Sequence, residues 1–195
     1  MHSSSLVHMG RLVETYLGQA ETLEIVDIGS QDVNGTYRPI FSKPGWRYRG
    51  IDIASAPNVD IVMPDPYRLP LPSGSVDVVI SGQAFEHIEY FWITFLDMVR
   101  VLRSGGKIFL IAPSRGPEHR YPVDCWRFYP DGFRALARFA KVDIVEVSTD
   151  WEPSPADDSA AWGDTVGVFE KPPIGWLNAV GREVTSWCLQ AWAKH

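Results

Sequence analysis

The chain has 195 residues, of which 45% are hydrophobic and 22% are charged, and its formal net charge is −6 at pH 7. This length and composition predict one globular domain with a single core. The acidic balance excludes the basic surface that a nucleic-acid-binding protein needs. Cys125 and Cys188 show neither metal-ligand spacing nor a disulfide framework. No apolar run is long enough to cross a membrane. We therefore expect a cytoplasmic protein without a metal, a nucleic-acid partner or an integral membrane segment.

The two ends of the chain differ in sequence from the region between them. Residues 1–9 resemble the remnant of an expression tag, and residues 10–195 are predicted to form the single domain. Apolar residues recur at helical spacing from Leu6 to Leu17, which predicts a leading helix. Residues 174–193 predict a terminal amphipathic helix. Its apolar face comprises Trp176, Leu177, Val180, Val184, Trp187, Cys188 and Ala191. Four roles stay open for it: packing on its own domain, a lid over a pocket, a homodimer interface, or contact with a membrane surface.

Between these ends, short apolar runs alternate with helical patterns. Strands are predicted at residues 23–28, 48–53, 59–62, 76–81, 107–112, 142–147 and 165–169. Helices are predicted at residues 37–41, 91–102 and 130–139. Such alternation is typical of a mainly parallel sheet covered by helices on both faces. A loop rather than a helix joins the last two predicted strands, so the last strand is expected to be antiparallel.

The end of the first strand predicts a ligand site. The strand stops at Gly29 and a polar turn follows. A glycine there lets the backbone approach a ligand closely, because no Cβ is in the way. Asp52 lies near the end of the second strand, where a carboxylate can accept hydrogen bonds from both hydroxyls of a ribose. Because ligands of open α/β sheets bind beyond the carboxyl ends of the strands, the two residues predict a nucleoside-containing cofactor.

The turn itself narrows the cofactor class. A dinucleotide fingerprint needs G-x-G-x-x-G, but Gln31 stands where the second glycine belongs. The acids Asp27 and Asp32 would repel a diphosphate and suit a cofactor that carries an ammonium and a sulfonium. The Asp27–Gln31 stretch resembles the acid-x-Gly-x-Gly motif of the class I S-adenosylmethionine-dependent methyltransferases, with a departure at Gln31. A nicotinamide-dependent reductase is disfavoured because the pyrophosphate-binding glycines are absent.

Four further stretches resemble motifs of the same family and occur in its order. They are Asp65–Pro70 after the third predicted strand, Ser75–Ser81 in the fourth, Phe85–Ile88 after it, and Leu102–Lys107 before the fifth. The resemblance extends from Leu23 to Lys171 and is to small single-domain members of the type 11 kind. It implies an α/β, Rossmann-like doubly wound sheet, mainly parallel with an antiparallel last strand, in the order 3-2-1-4-5-7-6. It also implies S-adenosylmethionine as the cofactor.

The resemblance implies a set of cofactor-binding residues. They are Asp27, Gly29, Ser30, Gln31, Asp52, Ile53, Asp65, Tyr67, Ser81 and Gln83. The turn around Gly29 would hold the methionine moiety, and Asp52 would hold the ribose. Asp65 would bond the adenine amino group. The amide that meets an adenine ring nitrogen would come from Tyr67, since Pro66 has no N–H. Gln83 would lie near the sulfonium.

The acceptor side of the predicted site centres on two histidines. His87 follows the fourth strand beside the expected methyl position, and His119 lies in a loop rich in charged and aromatic residues. Either is a candidate general base for an oxygen acceptor, while the alternative for His87 is a structural hydrogen bond to the loop backbone. The loop resembles the His-x-Tyr-Pro-x-Asp-x-Trp-Arg-Phe loop of small methyltransferases associated with sugar or cell-surface polymer pathways.

Four residues of this loop are candidates for binding the acceptor. They are Arg120, Asp124, Trp126 and Arg127. Arginine can hold a carboxylate or phosphate bidentately, and tryptophan can stack on a ring. In the alternative interpretation the loop is merely ordered, with Asp124 paired to Arg127 and Trp126 buried in the core.

The sequence thus predicts methyl transfer to a small molecule, through an oxygen of a sugar-like or phenolic metabolite. The alternative is a non-catalytic, methyltransferase-like module that binds the cofactor or a partner protein. The missing second glycine and the tryptophan-rich terminal helix favour that alternative. Titration with S-adenosylmethionine against a dinucleotide separates both from a reductase.

Overall fold

The computed structural model describes residues 3–152, 159–173 and 176–193. Its strands are β1 (Leu23–Ile28), β2 (Trp46–Asp52), β3 (Ile61–Val62), β4 (Val76–Gly82), β5 (Leu102–Pro113), β6 (Asp143–Thr149) and β7 (Asp164–Glu170). Its helices are α1 (Ser3–Leu17), α2 (Phe91–Val101), α3 (Pro130–Ala140), α4 (Ser159–Trp162) and α5 (Trp176–Trp192), with 3-10 turns at Arg38–Phe41 and Phe85–His87. Strands and helices therefore alternate along most of the chain.

The strands form one sheet in the order β3-β2-β1-β4-β5-β7-β6. The first five strands run parallel, and β7 is antiparallel to both of its neighbours. The predicted fold class is therefore confirmed, including the antiparallel last strand. Because parallel strands end at the same edge of a sheet, the segments that follow β1, β2, β4 and β5 come together there.

Both faces of the sheet are covered. On one face α2 and α3 contribute fully buried side chains such as Phe95 and Phe133, and on the other α1 contributes Met9 and Leu12. Burying side chains of this size stabilises a fold by about 1.5–3 kcal/mol each. Most residues of β4 and β5 are buried on both faces of the sheet, as expected for central parallel strands.

Most strand boundaries differ from the predicted ones by one or two residues, and two differences are larger. β5 begins at Leu102 rather than at residue 107, because Leu102 pairs with Val76 of β4 across a register irregularity. The short helix α4 stands between β6 and β7, where only a loop is predicted. The segment 153–158 of that predicted loop lies outside the described residues. The ends of strands and short helices depend on contacts with neighbouring segments. A local sequence pattern carries no information about those contacts.

Helix α1 begins within the stretch that the sequence analysis attributes to a tag. The tag origin of residues 1–9 stays a prediction, but from Ser3 onward these residues belong to the fold. Ser4 Oγ donates a hydrogen bond to Asp164 Oδ2 (2.8 Å), and Ser5 Oγ lies 2.5 Å from Tyr37 Oη. From Ser3 onward these residues therefore pack with the domain, because their polar side chains find buried partners.

Helix α5 occupies Trp176–Trp192, and among its described apolar residues Leu189 packs on the core while others face outward. Val184 is 54% exposed and Trp187 is 68% exposed, whereas Ser186 and Gln190 are buried. Gln190 Nε2 donates to the carbonyl of Tyr67 (2.8 Å) and to a carboxylate of α2 (3.0 Å). The side chains of Trp176, Leu177 and Val180 lie outside the described part of the structure. Polar contacts therefore face the domain, and the predicted homodimer contact stays a prediction.

Candidate functional site

A cavity of about 1200 Å³ opens at the edge of the sheet where the parallel strands end. Its lining includes Gly29 and Gln31 after β1, Asp52 and Ile53 at the end of β2, Met63, Pro66 and Tyr67 after β3, and Gln83, Glu86 and His87 after β4. The loop after β5 adds His119, Arg120, Tyr121 and Val123, and α1 adds Ser3 and Leu6. Most of the sequence-predicted site residues therefore border one cavity.

Gly29 turns the chain at the end of β1. Its φ is +77°, and a Cβ at this position would lie 2.3 Å from Ala84 Cβ. The amides of Gly29 and Ser30 both donate to the carbonyl of Ile51, at 3.0 and 3.2 Å. The turn is thus fixed against β2, and only glycine fits it without strain and collision.

We expect the Gly29→Ala substitution to lower the free energy of unfolding more than Gly74→Ala does. Gly74 has a similar φ of +65° but has no neighbouring atom within 4 Å of its Cβ position. The left-handed backbone alone costs about 1–2 kcal/mol, and the collision adds about 1–3 kcal/mol at Gly29 only. Urea unfolding of both variants measures the difference. Equal losses in the two variants would contradict the collision with Ala84.

Asp52 shapes the wall next to this turn. Its Oδ2 accepts the amide N–H of Gln31 (2.9 Å), and its Oδ1 accepts the amide N–H of Ile53 (2.7 Å). Each carboxylate oxygen can accept a further hydrogen bond. Asp52 therefore links the β1 and β2 turns and still offers acceptors to a ligand in the cavity.

Asp27 lies behind the cavity wall. It is 2% exposed, it is not among the lining residues, and its carboxylate accepts a hydrogen bond from the Tyr48 hydroxyl. Burial raises the pKa of Asp27 to about 7. The hydroxyls of Ser30 and Ser81 also bond inward, to the carbonyls of Asn58 (3.3 Å) and Ile28 (2.8 Å). These three side chains brace the turn and do not border the cavity.

The segment after β3 differs from its expected arrangement. The Tyr67 amide donates to Asp65 Oδ1 (3.0 Å), so the Asp65 side chain caps its own turn. Tyr67 borders the cavity, while Asp65 is not among the lining residues. The predicted contact of the Tyr67 amide with an adenine ring nitrogen would have to replace this hydrogen bond.

Gln83 follows β4 with a φ of +57°, a conformation that non-glycine residues seldom adopt. Its Nε2 donates to Asp164 Oδ1 (2.8 Å), which orients the amide group. Among the described residues its Oε1 has no hydrogen-bond partner, although that atom is buried. The strained residue thus presents an unsatisfied acceptor at the middle of the site.

Glu86 and His87 stand at the far end of the cavity. His87 Nδ1 lies 2.5 Å from the carbonyl of Val123. Because a carbonyl only accepts, Nδ1 carries the proton and Nε2 carries a lone pair. Burial lowers the pKa of His87, so the ring is neutral at pH 7. Glu86 is fully buried, and burial raises its pKa to about 8.

An ion pair between Arg127 and Asp124 holds the loop after β5. Arg127 Nη1 and Nη2 donate to the two carboxylate oxygens of Asp124 at 2.6 and 2.9 Å, and the amide of His119 donates to the same carboxylate (2.7 Å). The Arg127 guanidinium holds the pKa of Asp124 well below its usual range. Of the four predicted acceptor-binding residues only Arg120 borders the main cavity. Asp124 and Arg127 satisfy each other, as in the alternative interpretation.

Trp126 lies on the outside of this loop. It is 38% exposed, and its Nε1 donates to the carbonyls of Ile88 and Glu89, both at 3.1 Å. It borders a second hollow of about 700 Å³, together with Phe91 and Trp92. Trp126 is therefore neither in the core nor in the main cavity.

Several lining residues are not among the predicted site residues. They are Ser3, Leu6, Tyr121 and Val123. Glu86 belongs to a family motif but is not a predicted site residue. Its adjacency to His87 was visible, but its complete burial is a property of the folded chain.

Residues 26–110 match the methyltransferase domain family. The matched range covers β1 to β5, and with it Gly29, Asp52, Gln83 and His87 at the cavity. The match agrees with the predicted resemblance to S-adenosylmethionine-dependent methyltransferases, and with S-adenosylmethionine as the cofactor. A curated relative, described as an uncharacterized methyltransferase of Mycolicibacterium gilvum (strain PYR-GCK), is 26% identical over 167 residues. The alignment covers 75% of this chain and 63% of the relative.

Solved structures share the fold of the methyltransferase domain. The 1,6-didemethyltoxoflavin-N1-methyltransferase of Burkholderia thailandensis, solved with 1,6-didemethyltoxoflavin and S-adenosylhomocysteine, is similar with a TM-score of 0.68 and 16% identity, over 87% of this chain and 79% of that one. An S-adenosylmethionine-dependent methyltransferase from Methanosarcina mazei gives a TM-score of 0.65 and 14% identity, over 84% and 98% of the two chains. At these identities the likeness concerns the fold.

Among the described residues, no helix is both long and apolar enough to cross a bilayer.

Proposed function

We propose that this protein transfers a methyl group from S-adenosylmethionine to an oxygen of a small molecule that is sugar-like or phenolic. The observation that carries the proposal is the cavity at the ends of β1, β2 and β4, inside a methyltransferase domain. Gly29, Asp52 and Gln83 border it together, on the three strands that the cofactor of this family is expected to contact.

The chain's own residues fit this cofactor. Asp52 offers carboxylate acceptors for the ribose hydroxyls, and Ile53 borders the same part of the cavity. The buried Gln83 Oε1, without a partner among the described residues, suits the cofactor's ammonium group. Gly29 and Gln31 leave backbone exposed to the methionine moiety. When bound, S-adenosylmethionine supplies an electrophilic methyl group on a sulfonium, so the leaving group needs no proton.

The acceptor end supports an oxygen nucleophile. A hydroxyl must lose its proton as it is methylated, and a neutral histidine can help to remove it. His87 carries its lone pair on Nε2, and its Nδ1 is anchored to the Val123 carbonyl. His119 stands next to it, with 4.9 Å between the ring centroids. Arg120 borders the same space; its guanidinium pairs with Glu118 (2.8 Å) and has further N–H donors for an anionic or hydroxyl-rich acceptor.

Calorimetric titration with S-adenosylmethionine, S-adenosylhomocysteine and a nicotinamide dinucleotide tests the proposal. We expect micromolar binding of the first two ligands and none of the third, because the turn lacks the pyrophosphate-binding glycines. An acceptor screen with sugars and phenols, read as S-adenosylhomocysteine formed, then tests the oxygen assignment. Methylation of amines alone would overturn that assignment and leave the cofactor assignment standing.

A non-catalytic, partner-binding module is the second candidate. The observation in its favour is the exposed apolar side of α5, where Trp187 is 68% exposed. Absence of binding to either cofactor form at millimolar concentration would favour this candidate over methyl transfer. Cytoplasmic localisation and a homodimer through α5 remain part of the proposal.

A further inference from the structure

Three side chains with metal-binding atoms converge at the acceptor end of the cavity. Glu86 and His87 lie in the 3-10 turn after β4, and His119 lies in the loop after β5. Each offers one ligand atom, and these atoms lie within 4.8 Å of one another. All three residues border the cavity. The sequence predicts no metal, since Cys125 and Cys188 show no metal-ligand spacing.

Glu86 is the first observation that points to a cation. Its side chain is fully buried, and neither carboxylate oxygen has a hydrogen-bond partner among the described residues. An isolated buried carboxylate is strongly unfavourable, so buried carboxylates are paired, protonated or bound to metal. The nearest ring nitrogen, His87 Nε2, lies 3.7 Å from Glu86 Oε1 and carries a lone pair. Two atoms that can bind a cation thus lie close together without a hydrogen bond between them.

The outer contacts of the two histidines are the second observation. Metal-binding histidines usually direct the other ring nitrogen to a backbone carbonyl or a carboxylate. His87 Nδ1 lies 2.5 Å from the carbonyl of Val123. His119 Nδ1 lies 3.4 Å from Asp124 Oδ2, and it makes no hydrogen bond among the described residues although it is buried. Asp124 is in turn fixed by Arg127, so both rings have an orienting partner.

We propose that Glu86, His87 and His119 bind one first-row divalent metal ion, such as Zn²⁺, Mn²⁺ or Co²⁺. Two imidazoles and one carboxylate form a donor set that such ions prefer over Mg²⁺ or Ca²⁺. Atoms bound to one ion at about 2.1 Å are about 3–3.5 Å apart, so the three ligands draw together by about 1 Å on binding. Three protein ligands leave coordination positions open to the cavity, as in catalytic rather than structural sites.

This inference rests on the proposed function for its substrate class, and it changes the role of the histidines from bases to ligands. The ion would bind the acceptor hydroxyl and lower its pKa, as metal ions do for bound water. The oxygen then forms a bond to the methyl carbon, the C–S bond breaks with its electrons kept by sulfur, and the hydroxyl proton passes to solvent. A six-coordinate ion such as Mn²⁺ would keep more than one position open, and the site then favours acceptors with adjacent oxygens, such as a vicinal diol or a catechol.

Cobalt titration tests the site without any methyl transfer. The whole chain is stripped with a chelator and titrated with Co²⁺, which is followed by its visible d–d absorption and by calorimetry. We expect one ion per chain in the wild type. Glu86→Gln and His119→Gln should each weaken binding at least about 100-fold, because each removes a ligand. Circular dichroism checks that the variants fold. If Glu86→Gln does not fold, Co²⁺ binding by His119→Gln decides the test.

The matched control is His8→Gln. His8 belongs to the other cluster of three such residues among the described ones, with Asp150 and Asp164, and its Nε2 already lies 2.7 Å from Asp150 Oδ2. Unchanged Co²⁺ binding in His8→Gln supports the proposal. Loss of binding in His8→Gln, or unchanged binding in Glu86→Gln and His119→Gln, overturns it. Absence of Co²⁺ binding to the wild type overturns it as well.

S-adenosylmethionine titration of the same stripped samples separates the two proposals. Cofactor binding without metal binding leaves the proposed function standing and removes the metal site. Metal binding without cofactor binding leaves the metal site standing and removes the proposed function. If both bind, methylation of a catechol should rise at least about 100-fold with Mn²⁺ or Co²⁺. A monohydric phenol should gain less, and equal gains would overturn the preference for adjacent oxygens.

Discussion

The Asp52→Ala variant is expected to bind S-adenosylmethionine at least about 100-fold more weakly than the wild type. Hydrogen bonds to a charged group contribute about 1.5–3 kcal/mol each, and the proposed ribose site would lose two of them. The substitution also frees the amides of Gln31 and Ile53, which Asp52 now holds at 2.9 and 2.7 Å. The wall of the cavity would therefore lose its shape as well as its acceptors.

Two further variants make this measurement specific. Asp52→Asn keeps one acceptor oxygen and replaces the other with a donor, so its affinity should fall between wild type and Asp52→Ala. Asp143→Ala removes the same charge from an exposed position on β6 and should bind like the wild type. Calorimetry with S-adenosylhomocysteine measures all four proteins. An Asp52→Ala affinity within about threefold of wild type would refute the ribose assignment.

The Asp27→Asn variant is expected to be more stable than the wild type above pH 7 and equally stable near pH 4. Burial raises the pKa of Asp27 from its usual 3.8 to about 7 in the folded state. The folded chain therefore holds one more proton than the unfolded chain between these pH values. The stability that protonated Asp27 contributes is fully present below pH 4 and is lost as pH rises through 7. Asparagine cannot ionise, so the variant keeps this stability as the pH rises.

The size of this effect follows from proton linkage. One extra proton changes the free energy of unfolding by about 1.4 kcal/mol per pH unit, so the two proteins should diverge by about 4 kcal/mol across the window. Urea unfolding at several pH values between 4 and 8 gives the difference curve, in which the other carboxylates cancel. A difference that does not change with pH would show that Asp27 keeps an ordinary pKa.

Asp60→Asn supplies a control of opposite sign. Burial raises the pKa of Asp60, but hydrogen bonds from Arg38 and the Gly50 amide outweigh it and lower the pKa below its usual value. The ionised form is therefore favoured in the folded state, and its contribution is lost as pH falls through the folded pKa. The wild type should gain stability over Asp60→Asn as pH rises, whereas it loses stability relative to Asp27→Asn.

The hydrophobic pattern predicted the elements but not the direction in which each one faces. Val184 and Trp187, two members of the predicted apolar face of α5, face solvent, and the polar Gln190 faces the domain. Gln190 is buried because Tyr67 and α2 offer it hydrogen-bond partners. Periodicity reports which side chains lie together on a helix. The partners that cover them belong to other segments.

The sequence by itself determined the α/β class, and its resemblance to a known family implied the strand order. It also predicted Gly29 and Asp52 as parts of the site. The fold class and these two residues depend on local chemistry: alternating apolar segments, a glycine that allows positive φ, and an acid at the end of a strand. Only the tertiary structure decided which acids face the cavity. It paired Asp124 with Arg127, sealed Asp27 against Tyr48, and left Glu86 buried beside His119. Burial and pairing depend on segments that meet only after folding, so the charge state and partners of these groups cannot be read along the chain.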